Sequence, residues 1–240
     1  CIRDRIDTSF VSKVFMSVEN YINDNTLVCI KSTIHPQALE KIIADLSFDE
    51  SRIVFNPEFL REGSAFTDFF QPDRIVIGST DEENAKKVGS LYKDLDTEIL
   101  FTDPVSSQLI KYLSNAYLPL RLSFVNEASQ IISVMGGNLQ ETLKGIGMDN
   151  RIGQNYFRPS PGWGGSCFPK DVAEINSIIK SNNLILPLIS NIKKSNSTHQ
   201  EWFTEYLINL KNEKKFENIF LIGLAFKDNT DDLRHSPTVS

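Results

Sequence analysis

Up to residue 102 the chain alternates short apolar runs with amphipathic stretches. Phe10, Val11, Val14, Phe15, Val18, Tyr21 and Ile22 recur at helical spacing behind Thr8 and Ser9, residue types that cap helix N-termini, and predict an amphipathic helix. The run Leu27-Val28-Cys29-Ile30 predicts a buried strand, with Cys29 as a small buried residue within it. A helix over 37–46, strands over 53–55, 74–78 and 98–102, and a helix with Val88, Leu91, Tyr92 and Leu95 on one face continue the pattern. Apolar strands separated by helices predict an α/β arrangement around a parallel sheet with both faces covered.

After Asp103-Pro104 the texture changes, because residues 109–135 are apolar on nearly every face and carry no strand signal. A helix of about 29 residues from Ser107 would reach roughly 43 Å, the length of a central strut. Pro119 lies inside it, frees the carbonyl of Asn115, and predicts a kink that re-aims the Asn115 side chain. Further helices are expected over 138–144, 171–180 and 188–210, and the run over 218–223 predicts a strand entering a glycine turn, the start of a second α/β unit.

Composition is that of a folded globular chain: 40% hydrophobic, 23% charged, with 25 Lys+Arg against 31 Asp+Glu for a net charge of −6. That balance argues against generic nucleic-acid or membrane-surface binding, and it requires placed Arg and Lys side chains if the ligand is anionic. No apolar run approaches the roughly 18 residues of a membrane span and no secretory signal is visible, so a cytoplasmic protein is expected. Cys1, Cys29 and Cys167 form neither a disulfide framework nor a CxxC pair, and His35, His199 and His235 do not cluster, so no metal site is expected.

The most informative segment is Gly162-Trp163-Gly164-Gly165-Ser166-Cys167-Phe168-Pro169-Lys170-Asp171. Pro169 suits a first helical position, which places Cys167 at a helix N-terminus, where the dipole favours a thiolate nucleophile. The glycines allow backbone to approach a ligand closely; Lys170 is unfavourable in a first helical turn and needs another reason to be there. Asp171 complements the dipole whatever else it does. Lys111 and Asn115 share a helix face in apolar surroundings, where a lysine is costly without a partner. Asn56-Pro57-Glu58-Phe59-Leu60-Arg61-Glu62-Gly63 sets two carboxylates beyond a strand end, a common ligand position in α/β sheets. No G-x-S-x-G elbow and no G-x-G-x-x-G turn occurs.

These segments, with Lys31-Ser32-Thr33, Arg74-Ile75-Val76-Ile77-Gly78, Gly147-Met148-Asp149-Asn150-Arg151-Ile152-Gly153 and Gly223-Leu224-Ala225-Phe226-Lys227 continuing to Arg234, resemble the UDP-glucose/GDP-mannose dehydrogenase family in family order. The resemblance implies a partial Rossmann-like NAD-binding domain over 1–103, an all-helical central domain over 104–200 that makes a homodimer through its long helix, and the start of a second Rossmann-like, UDP-sugar-binding domain over 201–240. It implies NAD as cofactor and four-electron oxidation of a nucleotide-sugar C6 alcohol to a carboxylate for polysaccharide precursors, with UDP-glucose favoured over GDP-mannose or a UDP-N-acetylhexosamine.

By matching position, Cys167 would be the nucleophile, Lys111 and Asn115 the oxyanion stabilisers, and Asp171 the proton-transfer group. Glu62 and Thr33 would act in water positioning or acid/base steps and, with Lys170 and Arg234, toward the cofactor. Glu58, Phe59, Leu60, Arg151, Tyr156, Arg158, Trp163, Gly164 and Lys227 would meet the substrate. Residues 34–37 depart from the family's small, glycine-bearing pattern, and residues 1–5 match nothing in it. The family also extends further at both ends, so these 240 residues are expected to be its middle and inactive alone. A helical dimerisation scaffold and a cysteine hydrolase working without NAD are the rival classes.

Overall fold

The computed structural model describes residues 9–18, 21–35 and 49–239, and the chain forms two compact units, Cys1–Leu113 and Ser114–Ser240. The helix expected over 37–46 lies outside the described residues.

The first unit holds a four-stranded sheet, β1 (Val28–Ile30), β2 (Ile53–Phe55), β3 (Ile75–Gly78) and β4 (Ile99–Thr102), in that spatial order. Among its described residues are the helices α1 (Ser9–Val18), α2 (Ala65–Phe70) and α3 (Glu82–Gly89). β2 and β3 are buried at every position, as central strands covered on both faces must be. Alternation along β2 sends Ile53 and Phe55 to a cluster with Phe15, Ile30 and Ile34, and Val54 to another with Ile75, Ile77, Ala85 and Val88.

Three expectations are corrected here. The sheet is mixed: β1/β2 and β3/β4 are parallel, but β2/β3 is antiparallel, with Phe55 opposite Gly78. The connection over 56–74 brings β3 back alongside β2 in the opposite direction instead of crossing over the sheet to start at the same end. Cys29 is exposed, because it sits on the outward face of an edge strand. The apolar stripe of the first helix is only partly used: Phe15 and Val11 pack on the core, while Phe10 and Val14 stand 69% and 59% exposed. A ten-residue helix turns one such edge to a sheet.

Helix α4 (Pro104–Val134) begins in the first unit and continues into the second through Pro119 without a break in its helical assignment. The second unit adds α5 (Leu139–Gly147), α6 (Phe168–Ser181), α7 (Pro187–Ser190) and α8 (Ile192–Lys214) around a core of Val125, Ile132, Leu143 and Phe157. Apolar residues of the long helix are both buried and exposed: Ala116, Val125 and Ile132 are buried, while Tyr117, Phe124, Ile131 and Val134 are exposed. The expected strand over 218–223 is absent. Phe220 and Ile222 are 85% and 97% exposed, and an extended segment becomes a strand only when a neighbour accepts its ladder bonds; among the described residues none does.

Candidate active site

In the first unit the reactive groups gather at strand ends. Asn56, immediately after β2, is 2% exposed; its N–H donates to Ile30 O at 2.9 Å and its Nδ2 to Val76 O at 2.9 Å, tying the loop to β1 and β3. Its Oδ1 accepts from Lys31 Nζ at 2.8 Å and from the Tyr92 hydroxyl. The loop so fixed carries Glu58, whose carboxylate accepts from Leu60 N at 2.7 Å and stands 3.7 Å from Lys111 Nζ. Lys111 is 4% exposed and also donates to the Glu58 carbonyl. Its ammonium lies 5.1 Å from the Phe59 ring centre, and the Arg74 guanidinium lies 4.1 Å from the same ring. A carboxylate, a carbonyl and an aromatic face thus compensate the burial of the lysine side chain and hold its amine in one place, where an oxyanion could meet it.

The next turn is locked by charge. Asp68, buried in α2, accepts from Arg61 N at 2.8 Å, from Arg61 Nη2 at 2.5 Å and from Ser64 Oγ at 3.1 Å. The hydrogen bonds from the Arg61 side chain hold its carboxyl well below the usual range, at about 2. Glu62 is half-buried on this turn, and Gly63 (φ 83°) supplies the left-handed residue that closes it. Arg61 is therefore committed to Asp68. A cavity bounded by Lys31, Glu58, Phe59, Arg74 and Tyr92 opens beside the loop.

In the second unit Cys167 is the N-cap residue of α6, one position closer to the helix than Pro169 alone suggests, because Phe168 is the first helical residue. Its side chain is exposed, with Ser166 Oγ 3.7 Å from the sulfur, and its carbonyl accepts from Asp171 N at 2.9 Å to close the first turn. Asp171 has no exposed surface, and both carboxylate oxygens are engaged: Oδ2 by Asn115 Nδ2 at 2.6 Å, Oδ1 by Lys170 Nζ at 2.7 Å. That pairing is the reason for a lysine in a first helical turn. The arrangement sets an exposed thiol one turn from a buried, doubly held carboxylate, which suits a nucleophile with an assisting base.

The glycines before Cys167 are packed closely against the chain itself. A Cβ on Gly164 would overlap the His235 carbonyl, and one on Gly165 (φ 86°) would meet the Phe226 ring at 2.7 Å. The tail segment that fills this space is closed by Ser236 Oγ donating to Leu224 O at 2.6 Å, and Gly165 N donates to Arg234 O at 3.0 Å. Arg234 is itself paired with Asp232 at 2.7 Å.

The structure thus joins Lys111 with Glu58 and Phe59 in one unit, and Asn115 with Asp171 and Lys170 in the other. Arg151 pairs with Asp149 at 2.6 Å in its own turn, Arg158 lies 3.8 Å from Asp228, and Tyr156 adopts φ 55°. Leu60 and Lys227 are exposed, and Thr33 is half-buried beyond β1. Asn126, Asn196 and His199, which hold the glycine-bearing loop, are absent from the sequence-based site; polar residues at buried helical positions are the signal that could have found them. No group of three metal-ligating side chains and no helix long and apolar enough to cross a membrane occurs among the described residues.

Residues 2–96 match the NAD binding domain of the UDP-glucose/GDP-mannose dehydrogenase family, and residues 105–198 match its central domain. The chain is 37% identical over 239 residues to a UDP-glucose 6-dehydrogenase of Rickettsia felis, covering 97% of this chain and 53% of that protein. It is 36% identical over 228 residues to the UDP-glucose 6-dehydrogenase YwqF of Bacillus subtilis, covering 92% of this chain and 52% of that one. The structure of a UDP-glucose dehydrogenase from Pyrobaculum islandicum superposes with a TM-score of 0.84 at 35% identity, covering 100% of this chain and 57% of that chain. The chain spans about half the length of the curated relatives it matches. With both matching domains in family order, the chain belongs to the UDP-glucose/GDP-mannose dehydrogenase family.

Proposed function

We propose that the whole protein is an NAD-dependent UDP-glucose 6-dehydrogenase that oxidises the C6 alcohol of UDP-glucose to the carboxylate of UDP-glucuronate, a polysaccharide precursor. The observation that carries this reading is the exposed Cys167 at the N-terminus of α6 with Asp171 buried behind it, held by Asn115 and Lys170. The names of the relatives support UDP-glucose over GDP-mannose or a UDP-N-acetylhexosamine.

The described residues fit the reacting end of NAD rather than its pyrophosphate. No G-x-G-x-x-G turn occurs in the 240 residues, whereas the fully buried Gln108 carries an Nε2 without a partner while its Oε1 accepts from Ile34 N at 3.2 Å, beside Thr33. Thr33, Glu62, Lys170 and Arg234 would hold the cofactor, and NAD when bound accepts the hydrides. The 240 residues alone are for that reason expected to form no NADH. The Cys167 thiolate adds to the C6 aldehyde to give a thiohemiacetal, loss of the second hydride and of a proton from that adduct leaves a thioester, and water hydrolyses it, which releases the carboxylate and returns the thiol. Overall one alcohol, two NAD and one water give one carboxylate, two NADH and three protons. Lys111 and Asn115 stabilise the developing oxyanion, a role whose loss typically costs about 100- to 1,000-fold. Asp171 assists proton transfer, Glu62 and Thr33 position water, and Glu58, Phe59, Leu60, Arg151, Tyr156, Arg158, Trp163, Gly164 and Lys227 line the substrate.

The exposed Tyr117, Phe124, Ile131 and Val134, at spacings of seven, seven and three residues, form one apolar stripe on α4 and support a homodimer through that helix. Unpaired thiols at Cys29 and Cys167 fit a reducing compartment, the cytoplasm. NADH formation from UDP-glucose by the whole protein tests the reading. Turnover of GDP-mannose in its place would reassign the substrate, and acid release without NAD would favour a thiol hydrolase.

A further inference from the structure

The loop over 160–165 has no strand partner, yet side chains buried in α4 and α8 satisfy its backbone. Asn196, 7% exposed, closes a two-bond ring on Trp163: its Oδ1 accepts from Trp163 N at 2.9 Å and its Nδ2 donates to Trp163 O at 3.0 Å. Asn126, with no exposed surface, accepts from Ser160 N at 2.9 Å. His199 is 3% exposed; its Nε2 donates to Ser160 O at 2.8 Å and its Nδ1 accepts from Gln130 Nε2 at 2.8 Å, which fixes the neutral tautomer. Ser123 Oγ accepts from the Trp163 indole N–H at 2.9 Å. Gly162 leaves room for the clamp, since a Cβ there would meet Gln200 at 2.7 Å and Asn196 at 3.1 Å.

Buried amides are an expensive way to fill space, and an apolar side chain would do so at lower desolvation cost. What the amide adds is register. A ring closed on both the N–H and the C=O of Trp163 permits one placement of the peptide, and through the short run that follows it fixes where Cys167 begins α6.

We propose that Asn196 is a positioning residue for the substrate-facing segment 163–167, with Asn126 and His199 as its supports. It touches no reacting atom and sets how tightly the nucleotide sugar is held. This rests on the functional reading above, which assigns that segment to the substrate.

The test uses the whole protein and two readouts. Trp163 and Trp202 are the two tryptophans of the 240 residues, so with any tryptophan elsewhere and Trp202 replaced by Phe the emission reports Trp163. Asn196→Ala should shift that emission to the red and increase its quenching by acrylamide. It should raise KM for UDP-glucose by about tenfold, the scale of a lost buried hydrogen bond, with kcat changed by less than about twofold. Should that variant fail to fold, Ser123→Ala, which removes the bond to the indole alone, should give a smaller shift and a smaller KM rise of the same sign. Unchanged Trp163 emission in a folded variant overturns the clamp, and a shift with KM unchanged overturns the positioning role. If the parent protein forms no NADH from UDP-glucose, the functional reading fails instead, and the fluorescence alone decides the clamp.

Discussion

The two units hold their candidate reactive groups by different means. In the first, charge does the holding: Lys111 is buried against Glu58, and Arg61 is locked on Asp68. In the second, the loop before Cys167 hangs on neutral partners, the amides of Asn126 and Asn196 and the imidazole of His199, with the Lys170–Asp171 ion pair beyond it at the start of α6. Ion pairs tolerate small displacements because Coulomb attraction falls slowly with distance, whereas neutral hydrogen bonds fail steeply outside their geometry. The first unit is therefore built to keep a charge in place, and the second to keep a peptide in register.

The largest break in this comparison is expected at Asp171. Asp171→Ala leaves Asn115 without its buried partner and Lys170 without its counter-charge; stability should fall by about 2 kcal/mol, and turnover by the whole protein by about 100-fold or more. Denaturant titration and steady-state rates measure the two effects. A variant with full turnover would show that the carboxylate is only a helix cap.

Gly164→Ala ranks next. Because the new methyl overlaps the His235 carbonyl, the tail must lift off the loop, with a loss of about 2 kcal/mol and faster proteolysis over 224–238. The equivalent change at Gly136, where a Cβ has nothing within 4 Å, should leave that tail protected, although its φ of 69° carries its own strain.

The smallest effect, and the one that sharpens the comparison most, is acid sensitivity. Burial lowers the His199 pKa below 6.5, against the opposing influence of the Ser160 carbonyl and of Glu127, the charged group whose field it feels. A depressed histidine favours the neutral form in the fold, so its contribution is complete above pH 6.5 and is lost as pH falls through the lowered folded value. Asp68 has the same sign in a lower window: its contribution is complete above its ordinary 3.8 and is lost as pH falls toward about 2. Trp163 emission should therefore change as pH falls below 6.5, while the sheet's far-UV circular dichroism persists to lower pH. Loss of the sheet first would contradict the division of labour.

What could be read from the sequence follows from how far each interaction reaches along the chain. β2, β3 and α4 are specified by runs and periods within one segment, and each was located within a few residues. The direction of β3 was not legible, because it depends on whether the connection over 56–74 crosses the sheet, and that connection is long enough for either course. That Gly164 also makes room for His235 was not legible, because the two lie far apart along the chain. Lys170 looked misplaced until the Asp171 carboxylate beside it was seen to be buried. Cys167 at a helix N-terminus was legible from Pro169 alone, whereas Asn196 and His199 pattern as ordinary helix residues until their partners in the loop are known.

The central claim, that Cys167 carries the reaction, is tested most directly by Cys167→Ser in the whole protein, with UDP-glucuronate measured against NADH formed from UDP-glucose and NAD. The account predicts that net acid production is lost while the fold, read by circular dichroism, is kept. Acid formed at the parent rate by the serine protein would remove Cys167 from the mechanism.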